Sequence, residues 1–131
     1  MNFFFDNTLA PKIARGLNQF VQPEHSVVHL KDAFEPNDED EYWLSELAKR
    51  LERVAIVTAD VHIERNPHLI QAWGETGHTI FFLKPGWADM PFWLQTQKLT
   101  TSFPAMLAAA SDAHARAAFL VSPNGRIRQL R

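Results

Sequence analysis

FFFDNTLAP, residues 3–11, sets three phenylalanines against one aspartate, then a short polar step and a proline. Residues 2–5 read as a short strand whose all-apolar character suits burial on both faces. Thr8 is placed to cap a following helix, and Pro11 is tolerated in a first helical turn. Leu9, Ile13 and Leu17 fall at i, i+4 and i+8, one buried stripe. The stretch is therefore a strand, an aspartate at its carboxyl end, a turn and a helix. That is the opening of an α/β chain, and one reading of Asp6 is a metal-binding carboxylate.

The rest of the chain repeats the alternation. SVVHL at 26–30 is a second strand, and KDAFEPNDED at 31–40 is a loop of Pro, Asn and acids. A helix runs from about residue 40 to residue 51, with Trp43, Leu44, Leu47, Ala48 and Leu51 as its apolar stripe. Asp40 and Glu41 fall in its first turn, where the helix dipole favours anions. VAIVT at 54–58 is a third strand, followed by Ala59 and Asp60. A helix is expected over residues 67–75, a strand over 78–83, and a turn at Pro85-Gly86. From about 90 to 110 the pattern is helical but broken by Pro91 and Pro104. AAFLV at 117–121 is a fifth strand, SPNG at 122–125 a turn, and residues 126–130 alternate as a short C-terminal edge strand. This order predicts an α/β/α sandwich of three layers around a mostly parallel sheet, as a single domain over residues 1–131.

Composition narrows the function classes. Apolar residues make up 46% and charged residues 21% of 131, ordinary globular values. With no cysteine, thiolate zinc sites, disulfides and cysteine nucleophiles are excluded. No basic start with a long apolar stretch follows Met1, and no apolar run approaches the roughly 20 residues that span a bilayer. A cytoplasmic protein without membrane contact is expected. The net charge is −2, yet residues 1–66 carry 12 acids and 7 Lys/Arg, while residues 67–131 carry 3 acids and 6 Lys/Arg. Such a polarised surface can meet a polyanion on one side, although a solvated surface with uneven charge is the simpler explanation.

Three aspartates converge on this topology. The carboxyl ends of parallel strands share one edge, where sites gather. Asp6 follows strand one, Asp60 follows strand three with one residue between, and Asp40 opens the helix after strand two. Converging carboxylates repel unless a cation lies between them. Mg²⁺ or Mn²⁺, which prefer oxygen ligands, suit such a set better than zinc. The plainer alternative is that acids begin loops and that Asp40 caps its own helix.

Two family resemblances bear on this. DNTL resembles the haloacid-dehalogenase phosphatases, but their nucleophile position, two residues before the second aspartate, is Phe4 here, which can neither attack phosphate nor bind metal. FFFDNTLAPKIARGL, DEDEYWLSELAKR, VAIVTADVHI and HTIFFL, in that order, resemble the PIN-like domains over roughly residues 2–83. More narrowly, they are similar to the small group related to toxins of bacterial toxin–antitoxin pairs. GWADMPFWL and SPNGRIRQL are similar in character, with less specificity. The resemblance implies a PIN-like fold and a Mg²⁺- or Mn²⁺-dependent ribonuclease that hydrolyses RNA phosphodiesters with a metal-activated water. It implies Asp6, Asp40 and Asp60 as catalytic metal ligands, with Glu41 or Asp38 as substitutes for Asp40. Asn7 and Thr58 would orient ligands by hydrogen bonds. A fourth acid, usual in many PIN nucleases, has no clear counterpart: position 62 is His, Glu64 lies further on, and Asn66 is neutral.

Among the other residues, Arg65 is a candidate phosphate grip and His62 a candidate proton-transfer or metal group, each against a plain surface role. His25, His29, His68, His78 and His114 show no ligand spacing and receive no role. Trp73, Trp87, Trp93 and Phe92 are read as core and interface packing, with base stacking as the alternative. WADMPFWLQTQKL holds more large apolar groups than one helix face buries, which suggests a partner surface for a self-dimer or an antitoxin helix. There is no GxxxxGK[ST], GxGxxG or GxSxG. The rival functions are a non-catalytic interaction module on the same fold and a receiver- or phosphatase-like phosphate-transfer protein, which the aspartates at strand ends motivate and Lys84 after strand four matches, against Phe4.

Overall fold

The computed structural model describes residues 1–35, 37–50, 54–60, 67–68, 71, 77–114 and 116–130. These contain strands β1 (Asn2–Phe5), β2 (Ser26–His29), β3 (Val54–Thr58), β4 (Thr79–Leu83), β5 (Ala118–Val121) and β6 (Ile127–Gln129). The helices are α1 (Pro11–Val21), α2 (Leu30–Ala33), α3 (Asp40–Arg50) and α4 (Phe92–Asp112). The sheet runs in the order β2-β1-β3-β4-β5-β6, with β1 to β5 mutually parallel and β6 antiparallel to β5.

Alternation along the central strands divides the core into two layers, because successive side chains leave opposite faces. Phe3, Phe5, Ala55, Val57, Phe81, Leu83, Phe119 and Val121 face α1 and α4, packing on Ile13, Ala14, Leu17, Leu99, Phe103, Met106 and Ala110. Phe4, Val54, Ile56, Ile80, Phe82 and Ala118 face the other way, onto Leu30, Phe34, Trp43, Leu44 and Leu47. The run of three phenylalanines is thus explained: both faces of β1 are covered. The Phe3 ring lies 4.8 Å from that of Phe103 on one side, and Phe4 lies 5.3 Å from Trp43 on the other. At about 25 cal/mol per Å² of apolar surface, each such buried ring contributes on the order of 2–3 kcal/mol. Phe4 is 2% exposed and wholly committed to this packing, which removes the phosphatase-nucleophile reading at its root.

The three-layer α/β/α architecture is as expected, including the C-terminal edge strand. Local departures have physical causes. The second strand stops at His29, not at residue 30, and Leu30 opens the one-turn helix α2 inside the expected loop. His29 Nδ1 accepts from the Lys31 N–H at 3.0 Å, a cap that turns the chain as the strand ends. Thr8 does not cap α1; the position before Pro11 is Ala10, with no side-chain cap bond. Pro104 does not break α4, which runs unbroken from Phe92 to Asp112. Pro104 and Thr100 are both exposed, so water can take the carbonyl that the missing N–H leaves behind. Of the helix expected over 67–75, Pro67, His68 and Gln71 are helical and the rest lies outside the described residues. Among the described residues no helix is long and apolar enough to cross a membrane.

His29 and His78, given no role from the sequence, are structural. His29 is 1% exposed, with Nε2 donating to the Leu9 carbonyl at 2.7 Å. His78 is 2% exposed, and its Nδ1 accepts from the Val54 N–H at 3.2 Å, tying the start of β3 to that of β4. Burial holds the His78 imidazole below its ordinary value of 6.5, with the Leu44 backbone pulling the other way.

Candidate active site at the β1–β3 edge

In an open α/β sheet the crevice lies where successive connections leave in opposite directions, outside the strands' carboxyl ends. Here that point is between β1 and β3. The chain passes from β1 to β2 through α1 on one face, then from β2 back across β1 to β3 through α3 on the other. Phe5 pairs with Val57, and the Asp6 N–H continues the ladder to the Val57 carbonyl at 3.2 Å. Asp6 therefore leaves β1 directly beside Thr58, the last residue of β3.

Asp6 is 5% exposed. Its Oδ1 accepts from the Thr8 N–H at 3.0 Å and from the Thr8 hydroxyl; its Oδ2 accepts from the Thr58 hydroxyl. The direction of both hydroxyl bonds follows from what else the threonines do. Thr8 Oγ1 accepts from the Ala59 N–H at 2.8 Å, and Thr58 Oγ1 accepts from the Asp60 N–H at 3.0 Å. A backbone N–H can only donate, so each hydroxyl proton is left for the carboxylate. Two threonines thus hold one buried carboxylate from both sides, and the same hydroxyls fix the backbone of Ala59 and Asp60. These polar bonds tie the β1 loop to the β3 loop.

Asp60 is half-buried, anchored to this network through its N–H. Asp40 opens α3, whose course must return the chain to the amino end of β3, so the first turn of α3 lies toward the carboxyl edge. The Trp43–Phe4 contact fixes that turn near the carboxyl half of β1. The side chains of Asp40 and Glu41 lie outside the described residues, as do His62, Glu64, Arg65 and Asn66 altogether. Asp38, the other substitute, is engaged in its own loop: its Oδ2 accepts from the Glu35 N–H at 2.9 Å. Asn7 is exposed in the turn. Thr58 donates to Asp6 from one side, and Thr8, which reads in the sequence as a helix cap, donates from the other. The signal was present: D-x-T at 6–8 and T-x-D at 58–60 are mirror-image side-chain turns, each closing on the backbone N–H two residues on.

Among the described residues no three His, Asp or Glu side chains stand together as a metal-ligating group. Among the described residues, the donors at the crevice are oxygens from Asp6, Asp60 and two threonines. The buried imidazole of His29 is taken up by Leu9 and Lys31. Such a donor set fits a hard, oxygen-seeking divalent cation and not a soft one.

The fold and crevice together define an α/β protein with an acidic residue at the switch point of a largely parallel sheet. Residues 1–85 match the family model described as a PIN like domain, and the chain belongs to that family. It is a nuclease-type fold. The match spans β1 to β4 and therefore both walls of the crevice, and leaves α4, β5 and β6 beyond it. No curated protein and no solved structure matches the chain.

Proposed function

We propose that the protein is a divalent-metal-dependent ribonuclease, with Asp6, Asp60 and Asp40 as the metal-holding acids. The observation that carries this reading is the buried Asp6 carboxylate at the β1–β3 switch point, clamped by Thr8 and Thr58 beside Asp60. The same bonds crosslink the two loops, so the clamp both builds the crevice wall and fixes the carboxylate in it. A carboxylate held rigidly by hydroxyl donors at a site-forming edge is what orienting a cation requires. Mg²⁺ or Mn²⁺ in that crevice supplies a lowered water pKa and neutralisation of charge on a phosphodiester. Asp6 and Asp60 then serve as negatively charged anchors, and Thr8 and Thr58 as positioning residues. Arg65 is assigned to the RNA backbone. The toxin role in a toxin–antitoxin pair rests on the family resemblance alone.

The test begins without a substrate. Mn²⁺ is titrated calorimetrically into wild type, Asp6→Asn and Asp60→Asn, with melting temperatures in parallel. Ligand binding to the folded state raises its stability by mass action, about 2.7 kcal/mol at a hundred times Kd. Wild type is expected to bind and gain melting temperature, and both variants to lose most of that gain and all Mn²⁺-dependent cleavage of single-stranded RNA. Equal Mn²⁺ binding or equal cleavage by either variant ends the site assignment. For the toxin role, expression of wild type should arrest growth and Asp60→Asn should not; growth unaffected by wild type ends it.

A further inference from the structure

Exposed aromatic side chains stand singly on α1 (Phe20) and α3 (Tyr42), but the first turn of α4 groups them. Phe92, Trp93 and Leu94 are all exposed, Trp93 at 79%. The Phe92 and Trp93 rings sit edge to face, 5.4 Å between centroids and 75° between planes. The apolar area ends there, since the next outward positions are Thr96, Gln97, Thr100 and Thr101.

This turn is rigidly mounted. Gln95 Nε2 donates to the Trp87 carbonyl at 2.8 Å, and Trp87 Nε1 donates to the Val121 carbonyl at 3.2 Å. Trp87 itself is fully buried, so the two tryptophans divide the roles that the sequence left together: Trp87 packs, Trp93 is displayed. Trp73 lies outside the described residues.

Its place and surroundings matter. β4 ends at Leu83 on the carboxyl edge, and α4 runs back from that edge, so its first turn lies at the same end of the sheet as Asp6 and Asp60. Lys84 leaves β4 there. One turn further along α4, Lys98 holds its Nζ on the Pro123 carbonyl at 3.1 Å. It lines a groove of about 220 Å³ with Gln97, Thr101 and Asn124. Residues 77–131 carry six Lys/Arg and two acids.

We propose that Phe92 and Trp93 form a base-stacking platform for single-stranded RNA, its phosphates following Lys84 and Lys98. The proposal rests on the ribonuclease reading only for where the strand leads, not for the binding itself. A protein partner is the rival occupant, but a stable protein interface buries roughly 800 Å² per side around a contiguous apolar core. One turn of rings in a polar setting, with Lys84 and Lys98 against the exposed acid Asp89, is too small for that and matches the flat faces of one or two bases.

The test is fluorescence anisotropy with a labelled 12-nucleotide oligo(A) RNA in EDTA, so that binding is read without cleavage. Trp93→Ala is expected to weaken binding about 5- to 150-fold, as loss of a stacking ring does. Trp93→Phe should retain most of the affinity. The salt dependence should keep its slope, because phosphate contacts are untouched. A ribose-phosphate oligomer lacking bases should bind wild type as weakly as oligo(A) binds Trp93→Ala. If Trp93→Ala, folded by its melting curve, binds oligo(A) like wild type, or if wild type fails to bind or ignores the missing bases, the platform is overturned and the patch passes to a protein partner. The two readings fail separately: Trp93-dependent binding without Mn²⁺-dependent cleavage sinks only the ribonuclease, and cleavage with Trp93-independent binding sinks only the platform.

Discussion

Replacing Thr58 by valine keeps the shape of a side chain that is 1% exposed and removes only its hydroxyl. Two bonds go: the one to Asp6 Oδ2 and the one from the Asp60 N–H. The first is a bond to a buried carboxylate, worth about 1.5–3 kcal/mol when a charged group is involved. The second ends at a half-buried N–H that water can reach, so its loss adds little. Thr58→Val is therefore expected to cost about 2 kcal/mol, a fall in melting temperature of roughly 6–12 °C for a domain of this size. Thr58→Ser keeps the hydroxyl and loses one methyl, at about 1 kcal/mol. Urea unfolding with an unchanged m-value measures both. A double-mutant cycle with Asp6→Asn should show a coupling of about 1 kcal/mol or more between residues 6 and 58. If Thr58→Val is no costlier than Thr58→Ser, or if the two changes simply add, the hydroxyl is not holding the carboxylate and the clamp is wrong.

Two other perturbations follow from the fold. The folded-state value of His78 lies below 6.5, so the unfolded chain binds the extra proton first as pH falls. Stability from this group should be intact above about pH 7.5 and fall through 6.5, by at most about 1.4 kcal/mol per pH unit, until the folded value is passed. His78→Gln keeps an acceptor for the Val54 N–H and should flatten that slope in melting curves between pH 7.5 and 5; an unchanged slope refutes the assignment. Gly125 has φ +88°, and a Cβ there would lie 3.2 Å from Ser102 Oγ. Gly125→Ala should cost about 1–2 kcal/mol and Gly125→Asn less, since asparagine tolerates the left-handed region; equal costs would point to the Ser102 contact alone.

The architecture was legible because burial on both faces leaves a strong mark. FFF, VAIVT and HTIFFL are too continuously apolar for surface strands, and each lies in the parallel centre of the sheet. The short elements were less legible. α2 exists because His29 caps it through its ring, a use of histidine that no periodicity announces. α4 survives Pro104 because the proline faces water, a fact about orientation. At the candidate site, topology was enough to put Asp6 and Asp60 at one edge, while Thr8 was misassigned: a threonine before a helix reads as a cap, and only the parallel pairing of β1 with β3 brings it to Ala59. The exposure of Trp93 was equally hidden, since composition cannot tell a displayed ring from the buried Trp87 six residues earlier.

The clamp has a consequence for any activity measurement. Asp6 receives hydroxyl bonds from both loops, so it is a structural crosslink between β1 and β3 as well as the candidate metal anchor. An inactive Asp6 variant is then ambiguous, because asparagine offers an NH₂ to one of two hydroxyls that each already accept a backbone N–H. Either threonine in that position must give up its proton's acceptor or move, and the loops move with it. Asp60 is the cleaner probe. It joins the network through its N–H, so changing its side chain leaves all of those bonds in place. Loss of Mn²⁺ binding in Asp60→Asn with an unchanged metal-free melting temperature would locate the deficit in the crevice's charge, and not in the packing of its walls.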